Sequence, residues 1–279
     1  RDLSNKTVRG LYGESIPLSA SRVDTYSACR YNFFLKFGLG LRVPNKNKLA
    51  CPVVGNMYHE VIERVCRKVE GAGGFKAVSD KEIREMTKQV VDEYTEKKMG
   101  GMNGQSERNT YLYRMMCREV TRVIRTLAVE FKNSDFVPSF FELKVGGENA
   151  DMPAIEIRAD KAKGVFTGRI DRVDTYSIDG RSIMRVVDYK TGNSRLFSLT
   201  DILTGKGTQL LVYNQAVLKD GLPGGATPET AGILYTPAKH PAVALKSNTE
   251  ADKVGREREK MLKRDGILVS DRAILEAME

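Results

Sequence analysis

The stretch from Gly164 to Gly192, GVFTGRIDRVDTYSIDGRSIMRVVDYKTG, constrains the fold more than any other part of the chain. Two runs rich in β-branched and aromatic residues, Val165 to Tyr176 and Ile183 to Tyr189, flank Ser177-Ile178-Asp179-Gly180. Asp-Gly between alternating apolar residues is a strong hairpin signal, because both central residues of the tight turn need φ > 0. Side chains i and i+2 of a strand share a face. Asp188 and Lys190 therefore stand side by side, with Val187 and Tyr189 turned the other way. On the partner strand Asp171 shares parity with Arg169 and Val173, and in a suitable register it lies across from Asp188. Two carboxylates and a lysine converging at one sheet end make a hard-cation site with a built-in positive charge.

Taken alone, an Asp-x-Lys triplet is most often a solvated strand end. Here Val186-Val187 lead into Asp188, and Gly168-Arg169-Ile170 lead into Asp171. A carboxylate that follows an apolar run sits at the edge of the core, where an unpaired charge is costly and a cation relieves it. Asp171 within GRIDRVD, followed by Asp188-Tyr189-Lys190-Thr191-Gly192, resembles the RecB-like branch of the PD-(D/E)xK nucleases. The resemblance implies DNA cleavage assisted by Mg²⁺ or Mn²⁺.

Other segments carry the same resemblance in the expected order. A helix is expected from near Pro52 to about Val69, with Val54, Tyr58, Val61, Val65 and Val69 along its apolar side. His59 and Glu63, four apart, share a face. Periodicity alone favours a satisfied core histidine. The string Gly55-x-x-x-His59-Glu60-x-x-Glu63 matches the Gly-x-x-x-His-x-x-x-Glu element of RecB-like nucleases, which implies that His59 neighbours the metal and that Glu63 supports it. A zinc-protease HExxH is excluded, because position 63 is Glu and His240 is remote. Beyond the hairpin, Gln209 and Tyr213 match a Gln-x-x-x-Tyr element that lines the DNA path in that branch, with Arg169 a further DNA contact. Glu142, inside Ser139-Phe140-Phe141-Glu142-Leu143, is either a further site carboxylate or an ordinary edge-strand residue.

Helices are also expected over Asp80 to Met99 and Asn109 to Lys132, and strands over Val137 to Val145, Ala154 to Ala159 and Thr230 to Tyr235. A charged helix is expected over Ala251 to Arg264. Arg114, Arg118 and Arg122 fall at i, i+4 and i+8 as a basic ridge, either a solvated face or a phosphate-contacting one. The chain as a whole carries 45 Lys+Arg against 36 Asp+Glu, a net charge of +9, which suits a polyanionic partner.

Near the start, Ser19 or Ser21 can cap a helix carrying Val23, Tyr26, Phe33, Phe34 and Phe37 toward a core. The pattern Ser-x-Ser-Arg-x-x-x-Tyr-x-x-Cys29-x-x-x-Phe-Phe resembles the signature of AddB-type subunits of bacterial AddAB helicase–nucleases, with Arg30 where a proline is usual. By that resemblance Cys29 is one of four ligands to a 4Fe-4S cluster. The other three lie in a group well after the catalytic lysine, and Cys117 is the last cysteine of this chain. The cluster is therefore expected in a longer parent and not in these 279 residues.

The resemblance implies an α/β fold with a restriction-endonuclease-like core, a small mixed sheet flanked by helices with the site at one edge. It divides the chain into an N-terminal arm and helix, 1–48, and a nuclease domain, 49–279, with a helical insert over 75–133 and a catalytic core over 137–236. Asp171, Asp188 and the Tyr189 carbonyl are expected to hold the cation, with His59 completing or adjoining its shell and Lys190 orienting water. The implied partners are single-stranded DNA and an AddA-type helicase–nuclease subunit. A non-catalytic DNA-binding module on the same fold is the competing reading. No apolar run approaches the ~20 residues that cross a bilayer, Arg1 to Arg9 leads into no signal-peptide core, and four cysteines without framework spacing fit a reducing cytoplasm.

Overall fold

A computed structural model describes residues 4–42, 51–99, 106–159, 162–190, 198–225, 227–238 and 262–278. The polar stretch Pro44 to Lys48, which by its sequence reads as a connector, His240 and most of the expected helix over Ala251 to Arg264 lie outside these residues. The chain opens on α1 (Asn5–Tyr12), β1 (Ser15–Leu18), α2 (Ala20–Ala28) and α3 (Arg30–Phe33), which runs into a π-helical turn, Phe34–Gly38. Ser19 caps α2, its hydroxyl accepting from the Arg22 amide. The single aromatic helix expected here is not formed. Cys29 takes an extended conformation, φ −160° and ψ 108°, and breaks it. Phe33 instead stacks on Tyr12 at 5.7 Å and meets Tyr26 edge-on at 5.4 Å, in a half-buried aromatic knot that enters no core.

Three long helices follow: α4 (Cys51–Gly71), α5 (Asp80–Met99) and α6 (Glu107–Asn133). A capping box starts α5, with Ser79 Oγ accepting from the Glu82 amide and the Glu82 carboxylate accepting from the Ser79 amide. Their apolar stripes meet in one core, in which Val61, Val65 and Val69 of α4 pack with Val90 of α5 and Val120 and Leu127 of α6. Among the described residues no helix is long and apolar enough to cross a membrane.

The strands are β2 (Val137–Val145), β3 (Ile155–Ala159), β4 (Ala162–Phe166), β5 (Gly168–Ile178) and β6 (Arg181–Lys190); α7 (Leu199–Leu203), α8 (Gln209–Asp220), β7 (Glu229–Pro237), β8 (Asp265–Leu268) and α9 (Arg272–Glu276) close the chain. Asp179 and Gly180 form the two-residue turn, with φ of 50° and 77°. The strand expected from Val165 to Tyr176 breaks at Thr167. Residues before the break join a three-stranded sheet ordered β1-β4-β3, and those after it enter a five-stranded sheet ordered β2-β5-β6-β7-β8. Within the larger sheet only β6 and β7 run parallel, joined by a crossover through α7 and α8. Phe141 and Tyr189 pack into the core of the three long helices. A second core, with Val173, Met184 and Val186, packs against Leu210, Tyr213 and Val217 of α8. The end of β5 and β6 away from their turn is thus held between α4 and α8.

Candidate active site

Strand register places three carboxylates in one row. Phe141 pairs with Arg172 and Leu143 with Ile170, which sets Glu142 against Asp171. Arg172 pairs with Val187, which sets Asp171 opposite Asp188. At this end the side chain of Asp171 continues the ladder, its Oδ2 accepting from the Tyr189 amide at 2.7 Å. Its Oδ1 lies 3.3 Å from His59 Nδ1, which α4 delivers from above the sheet edge. The same ring nitrogen is 3.4 Å from Glu142 Oε1.

Glu142 has a φ of 51°, a left-handed conformation in the middle of a strand. Holding a non-glycine residue there costs roughly 1–3 kcal/mol, and such strain gathers at functional sites. The other Glu142 oxygen accepts from Arg169 Nη1 at 3.0 Å. Arg169 is half exposed, at the rim.

On the α8 side, Asp188 Oδ1 accepts from Gln209 Nε2 at 2.9 Å, and Gln209 Oε1 accepts from Lys190 Nζ at 3.1 Å. Lys190 Nζ is also 2.7 Å from Asp188 Oδ2, a buried oxygen that receives no hydrogen bond of good geometry. The amide of Gln209 thereby fixes both the acid and the lysine. Tyr235 steadies the start of α8 by donating to the Gly207 carbonyl at 3.2 Å.

The charges compete. Burial opposes charge on His59, yet its bonds to Asp171 and Glu142 win and push its pKa up to about 10. Burial would raise Glu142, but His59 and Arg169 hold it below the usual carboxylate range. For Asp188, burial and then the charge of Asp171 raise the pKa to about 7 despite Lys190. Three carboxylates thus face three cations, His59, Arg169 and Lys190, and Asp188 is the acid left least compensated.

His59, Glu142 and Asp171 each offer a donor atom within 4.8 Å of one another. Carboxylate oxygens with one imidazole suit Mg²⁺ or Mn²⁺. Asp188 Oδ2, beside Lys190 but without a hydrogen bond of good geometry, adds to that fit.

The structure thus brings together His59, Glu142, Asp171, Asp188, Lys190 and Gln209, with Glu142 turned into this group and not left as an ordinary edge residue. Tyr189 contributes its amide to Asp171, and its hydroxyl accepts from Arg172 Nη1 at 2.5 Å. Glu63 stands apart, accepting from Arg67 Nε at 2.9 Å, and Arg67 reaches the Phe141 carbonyl beside Glu142. The expected exposure of Tyr213 to DNA needs correction. Its ring is 3% exposed, and its hydroxyl accepts from the Arg169 amide at 3.1 Å. It supports β5 from within the core. Cys29 is exposed on the N-terminal helices, where its Sγ accepts from the Asn32 amide.

Sequence reasoning missed the layer behind the row. Arg172 and Arg185, both fully buried, share Asp174, with contacts of 2.7 Å from each Nε. Arg185 Nη2 also meets Glu130 of α6 at 2.6 Å, and Arg264 closes the network on the other Glu130 oxygen. A signal existed. The Asp-Gly turn alone sets Asp174 against Arg185.

The sequence model of the PD-(D/E)XK nuclease superfamily matches residues 17–276. The chain belongs to this superfamily. Its mixed α/β architecture is the restriction-endonuclease-like fold of PD-(D/E)XK proteins. Relatives named as the B subunit of an ATP-dependent helicase/deoxyribonuclease include those of Clostridium acetobutylicum, 30% identical over 286 residues, and Clostridium tetani, 31% identical over 285 residues. Each alignment covers 99% of this chain and 24% of the relative. The Clostridium novyi relative is 30% identical over 289 residues, covering 100% of the chain and 25% of its own length. This PD-(D/E)XK chain therefore spans about a quarter of the length of the curated relatives it matches.

Proposed function

We propose that the chain is a divalent-metal-dependent deoxyribonuclease domain that hydrolyses phosphodiester bonds of single-stranded DNA as an exonuclease. The observation that carries this reading is the row Glu142, Asp171 and Asp188, closed by His59 on one side and Lys190 on the other. His59, Glu142 and Asp171 would hold the ion, with Asp188 and the Tyr189 carbonyl at its side. A bound Mg²⁺ or Mn²⁺ supplies Lewis-acid polarisation of a phosphate oxygen and lowers the pKa of water. Lys190, held by Gln209 and Asp188, orients the attacking water and stabilises negative charge on the phosphorane. Arg169, at the rim, meets a flanking phosphate.

The names of the relatives support placing this domain in an ATP-dependent helicase–nuclease, and we infer that it processes double-strand breaks in the cytoplasm. An AddA-type subunit would be the partner that feeds it single strands. In a longer parent chain, Cys29 would serve a 4Fe-4S cluster, tying the N-terminal region, 1–48, to the nuclease domain.

Asp188→Asn and Lys190→Ala test the reading. Each is expected to lower Mg²⁺-dependent cleavage of single-stranded oligonucleotides by at least ~10², with an unchanged circular dichroism melt. Cutting at the wild-type rate by purified Lys190→Ala would overturn it and favour a DNA-binding module without catalysis.

A further inference from the structure

Helices α5 and α6 run antiparallel, as the bonds from Lys132 to Asp80 and from the Tyr113 hydroxyl to the Val91 carbonyl show. Between them lies a groove of about 1370 Å³, lined by none of the residues of the carboxylate row. Arg84 and Lys88 line one wall from α5, at i and i+4, and Arg114, Arg118, Arg122 and Arg125 line the other from α6. All six are exposed. Arg122 is paired with Glu119, and Arg84 lies close enough to Asp80 to lower its pKa. The remaining four form no salt bridge to any described carboxylate.

The charge is not uniform along the groove. Asp92, Glu96 and Glu107 line the end near the tips of the helices, and five of the six cations crowd the other end. Tyr111, 61% exposed, stands at the lip. Unpaired guanidinium groups on a concave wall beside an exposed aromatic ring are the chemistry of a single-strand path, in which cations follow the phosphates and a ring stacks on a base. A folded acidic protein surface would not need the exposed ring, and α5 packs directly on α4, the helix that carries His59.

We propose that this groove is a second DNA-binding surface, which holds the phosphate backbone of single-stranded DNA apart from the catalytic row. The choice of DNA among polyanions rests on the nuclease reading above. Arg118 and Arg125 grip the backbone with Arg84 opposite, and Tyr111 stacks a base at the lip. The acidic end limits the grip to a few phosphates, and Tyr111, one turn from Glu107, stacks the base where the strand leaves the cations.

The test is fluorescence anisotropy of a labelled oligothymidylate of about 20 nucleotides on the full 279-residue chain, without divalent ions, across a salt series. The triple variant Arg84→Gln, Arg118→Gln, Arg125→Gln is expected to weaken binding about tenfold or more. It should also flatten the dependence of log affinity on log salt by about 2, since each single-strand phosphate contact contributes about 0.7. Tyr111→Ala should weaken binding about fivefold while leaving that slope unchanged. Without divalent ions the groove is measured whether or not the chain cuts DNA. If the triple variant melts early, the single variants at 118 and 125 each replace it, with an expected slope change of about 0.7. Unchanged affinity and unchanged slope in these variants would overturn the proposal, even if Lys190→Ala had abolished cleavage.

Discussion

His59 holds its proton between Asp171 and Glu142, 3.3 and 3.4 Å from its Nδ1. Its pKa of about 10 and that of Asp188 near 7 both lie above their unfolded values. A raised pKa stabilises the fold below the unfolded value, and that contribution fades as pH climbs through the folded one. For Asp188 the loss runs from about pH 4 to 7, and for His59 from about 6.5 to 10. Both make the metal-free protein less stable as pH rises. At the proposed metal site a divalent ion would take over the role of the protons, so Mn²⁺ is expected to bind more tightly at pH 8 than at pH 6, releasing protons as it does. Titration calorimetry in two buffers of different ionisation enthalpy counts them. In His59→Ala the release should drop and Mn²⁺ affinity should fall by more than the melting temperature does. A large loss of melting temperature with full metal affinity would instead make His59 an ordinary core residue.

Among the elements, β5 shows how closely the site depends on what packs behind it. A Cβ on Gly168 would run into the Tyr213 hydroxyl, the group that accepts from the Arg169 amide. Gly168→Ala should therefore cost about 1–3 kcal/mol by overpacking, and Tyr213→Phe about 1 kcal/mol through the bond it removes. In the double variant the hydroxyl is no longer there to be struck, so urea unfolding should give less than the sum. Additive costs would mean that the two residues do not meet. Sequence pattern was a good guide where one period ran unbroken, as along α5, α6 and the hairpin. It failed at Thr167, because β-branched and aromatic residues continue across the break between the two sheets, with only Gly164 and Gly168 to mark it. It failed at Cys29 because a helix-compatible run hid an extended residue. Glu142 stayed ambiguous for another reason: a left-handed φ in a strand leaves no trace in residue type.

Across the whole molecule, the buried charges behind the carboxylate row join parts of the chain that are otherwise distant. Asp174 faces two fully buried guanidinium groups, Arg172 and Arg185, which also stack on Phe131 and Phe136 at 4.8 and 4.7 Å. Asp174→Ala leaves both buried cations to Glu130 alone and should destabilise the fold by about 3–5 kcal/mol. Removing Glu229, whose pairing with Arg181 is fully solvated, should leave the urea midpoint where it is. Equal midpoints for both variants would show that the network is solvated in solution. These residues were legible only through register. Read singly, an Arg or Asp in a strand is taken for the wet face, and burial on both faces is a property of the helices that cover the sheet.

The five charges of that network come from positions 130, 172, 174, 185 and 264, and Ser134 and Asp135 separately bond the Ala277 carbonyl. The carboxylate row and its support are therefore indivisible along the sequence. A version trimmed to the hairpin and its helices, ending anywhere between Pro237 and Arg264, would keep every carboxylate of the row yet leave Glu130 short of a cation and the start of β2 without its anchor. Where such a domain can be cut out of a longer protein is set by the last partner in a salt-bridge network, not by the last residue of the catalytic motif.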